Sequence, residues 1–176
     1  MKEKGRRVLA EPYRPKNNGS VIQTVPNIDM IQFIPINLKK LFKQGRSYKW
    51  ERPEKCPRCG HYRIWGHGFA ARLFDGFVAP LLLKCYRCPG CGLVITLRPN
   101  THFAGFQASI ETIRSKLSYR ISRGRWPPDL STSRQRHWLS NLRRKIKAYL
   151  TQMWAGGEMA AFELFLSRGQ TPVSAG

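Results

Sequence analysis

Two copies of a C-x-x-C-G motif, Cys56-Pro57-Arg58-Cys59-Gly60 and Cys88-Pro89-Gly90-Cys91-Gly92, constrain this chain more than any other feature. Each places two thiols on a tight turn, so that both sulfurs can reach one ion at about 2.3 Å, and the trailing glycine permits the backbone conformation that closes the turn. Two such turns complete a tetrahedral S₄ site at Cys56, Cys59, Cys88 and Cys91, for which zinc is the expected ion. A closed site leaves no position for water and points to a structural role, its binding energy of about 10–16 kcal/mol acting as folding energy. Residues 60–87 separate the motifs, more than the roughly 15–20 residues of a compact ribbon, so an extended hairpin is expected between them.

The fifth cysteine opens an alternative, because Cys85-Tyr86-Arg87-Cys88 is also a C-x-x-C. The 88/91 pair is preferred: Pro89-Gly90 is turn chemistry, whereas Leu81 to Arg87 reads as a strand, on which neighbouring side chains diverge. Cys85 is then a spare strand thiol. His61 and His67 read as exposed loop histidines rather than ligands.

Charge names the class of partner. The chain has 31 Lys and Arg against 10 Asp and Glu, a formal charge of +21, so an acidic polymer is expected. The excess is uneven, with eleven basic and two acidic residues across 101–150 but only Arg168 against Glu158 and Glu163 beyond 150. Lys2, Lys4, Arg6 and Arg7 mimic the start of a signal peptide, but no apolar run follows, and no stretch approaches the ~18 apolar residues of a membrane helix. A soluble protein with no membrane association, cytoplasmic and at the nucleoid, is the expectation. In that reducing compartment clustered cysteines bind metal rather than pair as disulfides.

The fold class expected is a small α+β protein, with zinc-ribbon β-hairpins followed by a helical, helix-turn-helix-like bundle. Four segments are anticipated. Residues 1–50 form a basic arm (1–20) and an irregular stretch in which Leu38 to Lys43 makes one or two helical turns ending at Gly45. Residues 51–100 form the ribbon, with strands at Leu81 to Leu83 and Leu93 to Leu97. Residues 101–155 form a basic helical segment. Ile110, Ile113, Leu117 and Ile121 predict a helix over 107–123; Leu139, Leu142, Ile146, Leu150 and Met153 predict another over 132–154, with Ser131, Thr132 and Ser133 as candidate caps. Residues 156–176 hold a third helix striped with Met159, Phe162, Phe165 and Leu166, and a frayed tail.

On the helix over 132–154, Arg136, Ser140, Arg143, Arg144 and Lys147 group beside the apolar stripe, and Arg134 and Lys145 extend the basic field. This arrangement docks the stripe on its own domain and leaves the neighbouring face for phosphates or a major groove. Arg134, Arg136, Arg143, Arg144, Lys145 and Lys147 are therefore the candidate nucleic-acid contacts. Trp138 and Tyr149, though able to stack on bases, are read as core residues beside Leu142.

The chain resembles a bacterial family of poorly characterised proteins with a transposase-type zinc ribbon, often associated with mobile elements. The resemblance covers residues 54–150 and is carried by Cys56-x-x-Cys59-Gly60, His67-Gly68, Tyr86-Arg87-Cys88-x-x-Cys91, Leu97-Arg98-Pro99 and Ser133-Arg134-Gln135-Arg136-x-Trp138-Leu139. It implies zinc at the four named cysteines and suggests DNA recognition. The expected function is DNA binding within a mobile-element nucleoprotein complex. RNA or ribosome binding is the runner-up, and a truncated transposase, or an adaptor docking a transposase or other protein through Phe162 and Phe165 of the C-terminal helix, is a further alternative. Catalysis is not expected, because Asp29, Asp75, Asp129 and seven glutamates form no recognisable phosphoryl-transfer motif.

Overall fold

The computed structural model describes residues 29–150 and 154–175. The anticipated basic arm at 1–20 lies outside the described residues. Within them the chain is a small α+β structure of one four-stranded sheet and four helices. The elements are β1 (Asp29–Ile34), α1 (Leu38–Gln44), β2 (Trp65–Arg72), β3 (Leu81–Arg87), β4 (Val94–Pro99), α2 (Ile110–Arg123), α3 (Thr132–Tyr149) and α4 (Glu158–Ser167).

The sheet order is β1-β4-β3-β2, antiparallel except for the parallel edge pair β1–β4. The long hairpin expected between the cysteine motifs is β2–β3, with Arg72 opposite Leu81 at its closed end and Trp65 opposite Arg87 at its open end. β1 is a strand the apolar pattern hides. Asp29, Ile31 and Phe33 are exposed while Met30, Gln32 and Ile34 are half-buried, so glutamine faces inward and two large apolar side chains face out. Residues 29–50 consequently belong with the ribbon: β1 completes its sheet, and α1, capped by the Asn37 side chain, places Leu41 against Leu81 and Leu83 of β3.

The helices follow the predicted periodicity with trimmed ends. α2 starts at Ile110 because the Ser109 hydroxyl accepts from the Thr112 N–H at 3.0 Å, and it ends at Gly124, whose φ of 68° suits a left-handed cap. α3 begins where expected, but Ser131 stands at its N-cap with no side-chain hydrogen bond. It runs to Tyr149 with Leu150 at its C-cap, and residues 151–153 of the expected helix, Met153 among them, lie outside the described residues. Ile113, Leu117, Trp138, Leu139, Leu142, Phe162 and Phe165 form one core across α2, α3 and α4. Phe162 and Phe165 are fully enclosed there, which removes them as anchors for a partner protein.

Sheet and helices are joined through Arg98 at the end of β4. It is only 5% exposed; its Nε and Nη2 donate to the carbonyls of Phe103 and Phe106 at 3.1 and 2.6 Å, and its guanidinium lies over Phe74 at 5.3 Å. These bonds fix the turn that carries the chain from β4 towards α2.

Candidate metal centre and basic groove

The two cysteine turns have one backbone design. In the first, the Gly60 N–H donates to the Cys56 carbonyl and the Cys56 N–H to the His61 carbonyl; in the second, Gly92 donates to Cys88 and Cys88 to Leu93. Gly60 and Gly92 have φ of 73° and 74°, the left-handed conformation that makes a glycine necessary here. The first turn precedes β2 and the second connects β3 to β4, so the β2–β3 ladder brings them together.

The sulfurs of Cys56, Cys59, Cys88 and Cys91 all lie within 4.8 Å of one another. Cys56 and Cys91 are 3.7 Å apart and Cys59 and Cys88 3.5 Å, close to the edge of about 3.8 Å of a tetrahedron with 2.3 Å metal–sulfur bonds. The donor set is thus fitted to a metal ion. The Cys56 thiol feels burial, which raises its pKa, but hydrogen bonds from the Cys59 and Arg58 backbone outweigh it and bring the value to about 7. At Cys59 the backbone bond from His61 lowers the pKa, yet burial and the three neighbouring sulfurs push it up to about 12.

Cys85 stands apart, buried on β3 with its sulfur 3.5 Å from Thr96 Oγ1. His61 packs its ring against the second turn, so that a Cβ at Gly90 would come within 3.4 Å of it. His67 is exposed on β2.

On α3, Arg136, Ser140, Arg143, Arg144 and Lys147 line a groove of about 610 Å³, together with Leu139 and with Arg120 and Trp126 from α2 and the loop after it. Arg120 and Trp126 escape a reading of one helix at a time, because they reach the groove through helix packing. The Arg120 guanidinium lies over the Trp126 ring at 5.1 Å. Among the described residues, no carboxylate lines the groove. Arg143 is paired at 2.5 Å with Glu158 at the start of α4, and Arg144 donates to the Asn141 side chain. Among the described residues, Arg120, Arg136, Arg144 and Lys147 have no carboxylate partner.

Two predicted contacts lie off this groove. Arg134 pairs with Asp75 of the β2–β3 turn at 2.9 Å and sits over Trp138, tying the hairpin to α3. Lys145 lies over the rings of Phe165 and Tyr149 and donates to the Thr171 carbonyl, and its burial lowers its pKa. Both make contacts within the fold and remain partly exposed. Trp138 is a core residue as expected, but Tyr149 is 65% exposed and meets Phe165 of α4 edge-to-face with ring centroids 6.5 Å apart. No helix among the described residues is long and apolar enough to cross a membrane. No protein family, curated protein or solved structure matches this chain.

Proposed function

We propose that this protein binds duplex DNA through the groove between α2 and α3, with zinc at Cys56, Cys59, Cys88 and Cys91 holding the ribbon folded. The observation that carries the reading is the groove itself, five cations and a tryptophan with no carboxylate among the lining residues. Unbalanced like charges repel, and a row of phosphates is the partner that compensates them. Helix-turn-helix-like placement of α3 along the major groove is part of this proposal. So is membership of a mobile-element nucleoprotein complex, which rests on the resemblance at residues 54–150.

A binding rather than catalytic role is supported by where the acids stand. Asp75 pairs with Arg134, Asp129 with Lys116 and Glu158 with Arg143, and Glu111 and Glu163 are both neutralised by Arg114. Two-metal phosphoryl transfer instead requires carboxylates that converge.

With Arg143 offset by Glu158, four groove cations remain to neutralise phosphates, which gives a log–log salt slope of roughly −3.6 for duplex binding. Replacing Arg136, Arg144 and Lys147 together by alanine should flatten the slope to about −0.9 and weaken binding to all sequences. Titrations of zinc-loaded protein with duplex DNA and structured RNA at several salt concentrations test this. An unchanged slope in the triple variant refutes the groove, and preference for RNA at physiological salt refutes DNA.

A further inference from the structure

The metal end of the ribbon presents a surface that the groove does not explain. Of the five tryptophans, Trp50, Trp126, Trp138 and Trp154 lie in or against a hydrophobic core, whereas Trp65 is 61% exposed. Tyr62, three residues before it, is 77% exposed, and the intervening Ile64 is buried and anchors the segment to the sheet core. Trp65 opens β2 directly opposite Arg87, itself exposed, so the two side chains rise side by side from one face. Arg58 inside the first cysteine turn and Arg63 between the two rings are also exposed.

Negative charge is scarce around them. Across residues 51–99 eight Lys and Arg stand against three acidic residues, Glu51, Glu54 and Asp75, and Asp75 is paired with Arg134. An exposed indole and phenol set among guanidinium groups have the composition of a stacking platform for unpaired bases, in which rings take the base faces and arginines the backbone. A protein partner taking up these rings would have to bring its own carboxylates; a nucleic-acid strand carries a phosphate with every base.

We propose that Trp65 and Tyr62 stack on unpaired bases of DNA while Arg58, Arg63 and Arg87 hold the adjoining phosphates, making the ribbon a single-strand contact beside the duplex groove. The inference rests on the DNA-binding reading for the identity of the polymer. Arg87 adjoins Cys88, and Tyr62 follows the turn of Cys56 and Cys59, so metal in the four-cysteine site holds both halves of the platform in place.

The test uses the full-length, zinc-loaded chain and fluorescence anisotropy, comparing a blunt duplex with the same duplex carrying a short single-stranded overhang. The overhang should tighten binding about 10- to 100-fold. Trp65→Ala should remove that gain and leave blunt-duplex affinity unchanged, Tyr62→Ala should remove part of it, and Trp65→Phe, which keeps a ring, should retain most. Metal content and thermal transition, measured on every variant, should match the native protein because both side chains are exposed. Equal affinity of the native protein for the two DNAs overturns the proposal, as does an equal loss on both in Trp65→Ala with metal intact. Trp65-dependent binding to the overhang strand without any binding to the blunt duplex refutes the groove and upholds the platform.

Discussion

His102 should make stability fall as the solution is acidified. It lies 5% exposed in the turn fixed by Arg98, its Nδ1 hydrogen-bonded to Thr101 Oγ1 at 2.9 Å and its ring edge-on to Phe74 at 4.9 Å. Burial, reinforced by the positive charge of Arg98 and only partly opposed by Asp75, brings its pKa down from 6.5 to about 4. The folded state therefore holds the imidazole neutral where the unfolded chain protonates it. Such a group contributes stability that is fully present above pH 6.5 and is lost as pH falls through 4. The full contribution is about 3 kcal/mol, of which about 1.3 kcal/mol disappears between pH 7.5 and 5.5. Urea unfolding of the zinc-loaded protein at these two pH values measures it. The control is His102→Gln, which lacks the titration but keeps a hydrogen-bonding side chain. Loss of metal acts on both proteins, so the diagnostic quantity is the difference between their pH dependences. If native and variant lose equal stability over this interval, the buried neutral imidazole is not the cause and the reasoning fails.

Cys91→Ser should abolish binding of the one zinc expected per chain and unfold residues 54–99, whereas Cys85→Ser should retain the metal; native mass spectrometry reads both, and the reverse pattern would reassign the second turn. Arg134→Gln and Asp75→Asn should each lower stability by about 1 kcal/mol and couple in a double-mutant cycle, because the pair joins the hairpin to α3. Neither should change the salt slope of duplex binding, and a slope flattened by Arg134→Gln would return that residue to the DNA interface.

What could be read from residues alone was whatever rests on local chemistry. Glycine after each C-x-x-C marks a turn closed at positive φ, and Pro89-Gly90 separates the 88/91 turn from the Cys85 strand thiol. The stripes at Ile113, Leu117, Leu139 and Leu142 gave the helices, because three- and four-residue spacing shows in the chain itself. Long-range partners were not legible in this way. β1 has inward Gln32 and outward Phe33, and becomes a strand only through a ladder to β4 that no local pattern announces. Arg134 and Lys145 looked like members of a basic face, but whether such a side chain meets solvent or a distant carboxylate is settled by packing. Arg120 and Trp126 join the groove for the same reason.

The parallel β1–β4 pair has a consequence for the order of events in folding. Asp29 meets Val94 and Ile34 meets Pro99, so each contact closes a long stretch of chain, whereas Arg72 and Leu81 meet across a single turn. Closing the larger loop costs more chain entropy, so the β2–β3 hairpin and its metal turns have the kinetic advantage. The first strand of the sheet to leave the ribosome is thus the last able to pair. Until β4 emerges, Met30, Ile31, Phe33 and Ile34 form a nascent apolar segment without its ladder, and this stage is where a chaperone or a misplaced strand would compete.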